Sequence, residues 1–324
     1  MNASRIAAII VALAALFSLT LLIMFVVGLI DTDKNLHALN AVSQRDTVMK
    51  PGAVETTEQW QFKAPSLADL PTDGFGESVR FGEKVFTNTH QYAPQYVGNH
   101  LSCSNCHLDA GRKANSAPMW AAFGLYPAYR QKNGHVNTFA ERLQGCFRFS
   151  MNGKVPPAGD PVLVGLEAYA YWLAKGAPIG ERVAGQGFPK LAKPVQAPDY
   201  HRGQQVYATH CVACHGSNGA GQIVNGKVVF PALWGADSFN WGAGMHQIHA
   251  AAGFIKANMP LGQGGSLSDQ QAWDVAQFVD SHERPQDPRY KGAVAATRKA
   301  YHESADSMYG LTVEGHVLGS GTAN

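Results

Sequence analysis

Charge is scarce in this chain: 15% of its 324 residues are charged, and 26 Lys plus Arg against 24 Asp plus Glu leave a formal charge of +2. A protein that coats nucleic acid needs a broad basic surface, so that class is excluded and no nucleic-acid partner is expected. Long low-complexity tracts are missing, and 45% hydrophobic residues suffice to bury a core, which excludes wholesale disorder. Five cysteines is an odd number, and four of them fall in two Cys-x-x-Cys-His strings, which excludes a disulfide framework and leaves Cys146 over. Alternating strand patterns are also lacking, so the expected fold class is all-α.

What is present begins with a charge-free apolar stretch of 25 residues, Ile6 to Ile30. At ~1.5 Å per residue it spans ~37 Å, enough to cross a bilayer with some tilt. A cleaved signal would carry an apolar region of ~7 to 15 residues and a small-x-small site. Gly28-Leu29-Ile30 before Asp31 does not match that, so residues 1–30 read as an uncleaved transmembrane anchor. Arg5 precedes the stretch while Asp31, Asp33 and Lys34 follow it, which favours an exported body on the periplasmic side of a bacterial inner membrane. Residues 31–59, polar and interrupted by Pro51-Gly52, read as a stalk.

Beyond the stalk the chain repeats itself. Gly82-Glu83-Lys84-Val85-Phe86 precedes Cys103-Ser104-Asn105-Cys106-His107, and Gly203-Gln204-Gln205-Val206-Tyr207 precedes Cys211-Val212-Ala213-Cys214-His215. Glycine and first cysteine are 21 residues apart in the first copy and 8 in the second, so about 13 extra residues near Gln91 to His100 are expected to loop out. Each copy ends in a predicted helix. Asp160-Pro161 supplies a cap and a first-turn proline for Val162 to Ala174, and Ser268 with Gln271 forms a capping box before Ala272, Val275, Ala276 and Val279. The expected organisation is a first domain over 60–175, a Gly/Pro-rich linker over 176–198, a second domain over 199–290 and a tail over 291–324. The tail is expected to pack in part against the domains and shows no site. Such loop-rich helical domains have modest cores, and a large planar cofactor would supply the missing buried area.

Cys-x-x-Cys-His is the spacing for covalent c-type haem attachment, with two thiols reaching one porphyrin edge and the histidine binding iron. Two covalently bound haem c groups are therefore expected, on Cys103, Cys106 and His107 and on Cys211, Cys214 and His215. A four-cysteine zinc site is the alternative, but the strings lie 108 residues apart and zinc leaves both histidines unexplained. A thioredoxin-like redox pair fits less well, because no βαβ pattern surrounds either string. Each iron needs a second axial ligand. In the second domain Met259, in Met259-Pro260-Leu261-Gly262, is favoured, with Met245, His246 and His249 as competitors. In the first domain Cys146 is favoured, with Met119 and Met151 as alternatives and a buried structural cysteine as the bland reading. A thiolate stabilises ferric iron and a thioether ferrous iron, which orders the two haems downhill from domain one to domain two.

Arg130, Lys132, Arg142, Arg148 and Lys154 face one acid, Glu141, a net +4 within 25 residues around Cys146. A solvated face or counter-ions for haem propionates would account for part of it. The density beside an unpaired thiol points to a small oxyanion as substrate, each charged hydrogen bond being worth ~1.5 to 3 kcal/mol.

The string Arg142 to Lys154, above all Gly145-Cys146-Phe147 with Ser150-Met151-Asn152-Gly153-Lys154, resembles the dihaem thiosulfate dehydrogenases, which join two thiosulfates into tetrathionate. The resemblance spans roughly residues 60 to 290. It implies two tandem cytochrome c-like domains, His107 and Cys146 on an active-site haem, and His215 and Met259 on an electron-transfer haem. It also implies substrate contacts from Arg142, Ser150 and, through a looser alignment, Arg130. Asn258 stands where some members carry a lysine that exchanges with the methionine, so no such exchange is expected. The electron acceptor implied is a soluble cytochrome c or a membrane-bound partner. The direction of the reaction is not set by these residues. The rival reading is a membrane-tethered dihaem shuttle between a respiratory complex and an oxidase, which needs neither Cys146 nor the basic run. A haem peroxidase fits less well, since both irons have candidate sixth ligands.

Overall fold

A computed structural model describes residues 62–321 apart from Gly226. The expected anchor over 1–30 and the stalk over 31–59 lie outside the described residues. Among those described, no helix is long and apolar enough to cross a membrane.

Six helices of seven residues or more carry the fold: α1 (Gly74–Thr87), α2 (Phe139–Gly145), α3 (Pro161–Leu173), α4 (Tyr200–His210), α5 (Ile248–Asn258) and α6 (Asp269–Asp280). Their starts follow the sequence signals. The Asp160 carboxylate accepts from Val162 N at 2.9 Å with Pro161 in the first turn, and Ser268 and Gln271 close a reciprocal capping box. Asp73 caps α1 by accepting from Gly76 N at 2.9 Å.

The repeat seen in sequence is a repeat of one helix crossing. In the first half α1 packs on α3, and in the second α4 packs on α6. Both crossings are so close that only glycine fits. A Cβ on Gly82 would lie 1.9 Å from Gly165 O, and one on Gly203 would lie 2.1 Å from Asp274 O. These are the glycines that open the two repeated strings. The second crossing is also tied electrostatically, by Arg202 donating to both carboxylate oxygens of Asp274 at 2.8 and 2.9 Å.

Three two-stranded antiparallel ribbons qualify the all-α expectation: β1 (Ala128–Arg130) with β2 (His135–Asn137), β3 (Gln222–Val224) with β4 (Lys227–Phe230), and β5 (Thr312–Val313) with β6 (His316–Val317). Strands of two to four residues are too short for a period of two to register in sequence.

Residues Gln59–Asn324 form one unit. The first core gathers Val79, Val85, Phe86, Leu163, Leu166 and Leu173 with Phe239 and Ala243 of the second half, so the two halves share buried surface. The Gly/Pro-rich segment between them is irregular but pinned: Asn115 N and Ala117 N donate to Gly185 O and Gly187 O at 2.6 and 2.9 Å. The tail contributes Met308, Tyr309 and Leu318 to a core with Trp241, Ile248 and Trp273.

Adding a methyl group at either crossing forces two backbones apart. Gly203→Ala is expected to cost about 1–3 kcal/mol by overpacking, whereas Gly74→Ala, which meets nothing within 4 Å, is expected to change stability by less than ~0.5 kcal/mol. Equilibrium denaturation of the two variants checks the difference.

Candidate active site

Helix α2 does not stop at Gly145. Its chain continues as a wide π-turn over Cys146–Ser150, in which the i to i−4 ladder gives way to wider pairing after Cys146 N, whose partner is still Arg142 O. All five carbonyls nevertheless find donors. Cys146 O and Phe147 O accept from Met151 N and Gly153 N, each at 2.9 Å. Arg148 O accepts from Asn240 Nδ2 at 2.9 Å, Phe149 O from Asn240 N at 3.2 Å, and Ser150 O from Asn99 Nδ2 at 2.9 Å. Asn99 and Asn240 are 3% and 0% exposed, and Asn99 reaches on to Ser238 O at 3.1 Å.

The first of these asparagines explains the extra residues of the first copy. The insertion supplies Asn99, a donor from Gly98 N to Met151 O at 2.9 Å, and Tyr96, whose carbonyl accepts from Lys154 N at 3.1 Å and whose ring packs edge-on against Phe147. It is a bed for the Cys146 turn.

Within the turn, Arg142 Nη1 donates to Cys146 Sγ at 3.0 Å, one helical turn apart in sequence. The charge of Cys146 raises the Arg142 guanidinium above its ordinary value. Arg142, Cys146 and Ser150 line a cavity of roughly 200 Å³ together with Cys103, Cys106 and His107. Its remaining wall is mostly apolar, including Phe86, Leu143, Leu166 and Phe239. Burial pushes the Cys103 thiol up to about 12 and Cys106 to about 11, and lowers His107 to about 4, so the imidazole is neutral and able to donate a lone pair. His107 Nδ1 is engaged by Ala117 O at 2.7 Å, which leaves Nε2 free for a metal. These donors in a large apolar cavity fit a haem c.

Known proteins agree. The chain is 59% identical over 259 residues to a thiosulfate dehydrogenase of Thiomonas intermedia (strain K12), covering 80% of this chain and 82% of the relative. It is 53% identical to one of Stutzerimonas stutzeri (strain A1501), covering 80% and 85%. The chain belongs to the thiosulfate dehydrogenase family.

A solved structure of thiosulfate dehydrogenase (TsdBA) from Marichromatium purpuratum matches with a TM-score of 0.78 at 48% identity, over 81% of this chain and 58% of that longer one. Residues 198–279 match the family model described as cytochrome C oxidase, cbb3-type, subunit III. That stretch contains the second Cys-x-x-Cys-His string, and its geometry repeats the first. His215 N bonds to Cys211 O at 2.9 Å as His107 N does to Cys103 O at 3.0 Å. His215 Nδ1 meets Pro231 O at 3.0 Å, again leaving Nε2 free, and burial lowers the imidazole.

Two of the competing ligands of the second site, Met245 and His246, are otherwise engaged. Met245 lines the first cavity instead. His246 has both ring nitrogens occupied, Nδ1 by Ala243 O and Nε2 by His302 Nδ1 at 3.2 Å. His249 Nδ1 lies 3.0 Å from Asp306 Oδ2. Met259 forms the extended cap that ends α5, held by its N to Ile255 O at 2.8 Å. Its neighbour Asn258 is fully buried and donates to Asn115 O at 3.0 Å, in the loop that also orients His107. In the first cavity the alternatives Met119 and Met151 are buried core side chains that line the same wall as Cys146.

Arg130 is exposed on ribbon β1–β2 and is not among the residues lining the cavity. The side chain that this ribbon turns towards the Cys146 segment is Lys132, two residues further on. Its stem is exposed, but its ammonium reaches Gly242 O and sits 3.8 Å from the Phe149 ring centroid. Sequence reasoning counted Lys132 only as part of a basic run. It missed Asn99 and Asn240 altogether, because a lone asparagine in a loop carries no periodicity.

Asn99→Ala leaves Ser150 O and Ser238 O without their donor in a buried place. A loss of about 1–3 kcal/mol is expected for each unsatisfied group, measured by urea unfolding.

Proposed function

We propose that this chain oxidises thiosulfate, joining two ions into tetrathionate by forming one sulfur–sulfur bond and releasing two electrons. The observation that carries the reading is the Arg142 guanidinium 3.0 Å from Cys146 Sγ in the wall of the cavity that also holds Cys103, Cys106 and His107. An iron relay needs no cation against its sulfur ligand, whereas an enzyme for a doubly charged sulfur anion does.

His107 and Cys146 would hold one iron, and His215 and Met259 a second. Haem c held at each string would supply a one-electron acceptor between thiosulfate and a soluble cytochrome c or a membrane-bound acceptor. The protein's own work is electrostatic and positional. Arg142 and the Ser150 hydroxyl offer donors to the sulfonate oxygens of thiosulfate, leaving its terminal sulfur directed at the cavity. Apolar walls exclude water, which strengthens those charged hydrogen bonds. The π-turn holds Cys146, Arg142 and Ser150 in one register, since its carbonyls are all committed elsewhere. The same arrangement binds product as readily as substrate, so the reverse reduction is open to it. Residues 1–30 would anchor the enzyme in a bacterial inner membrane with its body in the periplasm.

Steady-state oxidation of thiosulfate with ferricyanide by the full haem-loaded chain tests the reading. Cys146→Ala is expected to abolish turnover while both haems stay attached. Arg142→Ala is expected to weaken kcat/KM by about ten- to hundredfold, the equivalent of one charged hydrogen bond. Wild-type protein inactive with thiosulfate and with tetrathionate would leave the electron-shuttle reading in its place.

A further inference from the structure

A reaction that joins two dianions must hold both against their mutual repulsion. Arg142 and Ser150 provide for one sulfonate. The structure contains a second cationic group nearby, built around Phe149, the residue between Arg148 and Ser150 in the π-turn. Lys132 lies 3.8 Å from the Phe149 ring centroid, Arg289 5.1 Å and Arg148 5.5 Å. Asp287, paired with Arg289, offsets one of these three cations, and no carboxylate is described against Lys132 or Arg148, so the group keeps a net positive charge that an anion would complete. The ammonium of Lys132 is also within electrostatic range of Arg142 and Cys146, and burial together with Arg289 and Arg142 brings it down to about 7.

Arg289 comes from the segment after α6, in which the sequence shows no site. It is held rigidly. Its Nε and Nη2 donate to the two carboxylate oxygens of Asp287 at 3.0 and 2.6 Å. His302 Nε2 lies 2.9 Å from the same carboxylate, and the guanidinium lies 4.1 Å from the Tyr301 ring centroid. The guanidinium is therefore held beside Phe149 by a buried carboxylate and the Tyr301 ring, so little ordering entropy is lost when it binds. Among the contacts described, the Lys132 ammonium makes one hydrogen bond, to the carbonyl Gly242 O.

We propose that Lys132 and Arg289 form the subsite for the second thiosulfate, and for the far sulfonate of tetrathionate once the sulfur–sulfur bond has formed. This rests on the thiosulfate-oxidising reading and adds to it the place of the second anion. The C-terminal segment is then part of the substrate site, through Arg289, with Asp287 and His302 as its positioning residues.

The test uses the full haem-loaded chain and tetrathionate as the probe. Its binding is measured by calorimetry, alongside steady-state thiosulfate oxidation. Lys132→Gln and Arg289→Gln are each expected to weaken tetrathionate binding and raise the KM for thiosulfate about tenfold, the loss of roughly one exposed charged hydrogen bond. The visible spectrum of both haems should not change. Lys132→Arg is expected to restore binding and to flatten the rise in KM that wild type shows as pH climbs past 7. Because Arg289→Gln also strips a partner from buried Asp287, Arg289→Lys and the surface-borne Lys132→Gln keep the test decisive if that variant fails to fold. Tetrathionate affinity and KM unchanged in Lys132→Gln overturn the subsite, even in an enzyme that oxidises thiosulfate normally. A wild type without turnover that binds tetrathionate more tightly than Lys132→Gln does would overturn the catalytic reading and keep the anion site.

Discussion

The structure depends on one constraint: five consecutive carbonyls in the Cys146–Ser150 π-turn must all be satisfied inside the protein. The continuing turn supplies donors for only two of them, from Met151 N and Gly153 N, and a buried carbonyl without a donor costs as much as a lost hydrogen bond. Two asparagines solve the problem from opposite sides. Asn99 comes from the insertion that distinguishes the first repeat, and Asn240 from the second half of the chain. The active-site geometry is thus a property of both halves together, which is why they share a core around Phe239 and Ala243 instead of hanging as separate beads.

Around that turn the protein has spent its departures from a plain cytochrome. The repeat itself is conservative: a glycine-mediated crossing of first and last helices, a Cys-x-x-Cys-His turn closing on its first cysteine's carbonyl, and a histidine whose Nδ1 is taken by a backbone oxygen so that Nε2 is left free. What differs between the copies is what accompanies the string. The first has an insertion, a thiol on a π-turn and an arginine against the sulfur. The second has the extended Met259 cap, next to an asparagine that bonds back to the loop orienting His107. That bond is a direct mechanical link between the two sites.

The segment after α6 shows how far tertiary structure can carry a residue from its apparent context. In sequence it is a tail with scattered charges. In the fold its Tyr309 and Leu318 are core, and His302, Asp287 and Arg289 form a buried chain ending beside Phe149 of the active-site turn. Buried polar chains of this kind are costly unless every member is paired, and here each member has a partner.

Much of this was legible in the sequence because it rests on local rules. Covalent spacing alone made Cys103, Cys106 and His107, and Cys211, Cys214 and His215, the two expected attachment strings, and cap chemistry marked the starts of α3 and α6. The odd cysteine with its basic neighbours singled out the candidate site, and Arg142, one helical turn from Cys146, meets its sulfur in the fold. Long-range pairing decided the rest. Which cation a ribbon presents depends on its turn, so Lys132 and not Arg130 reaches the Cys146–Ser150 turn, at Phe149. Which asparagine closes a π-turn, and which arginine of a distant tail reaches Phe149, depend on how the two halves pack, and no period or spacing along the chain encodes that.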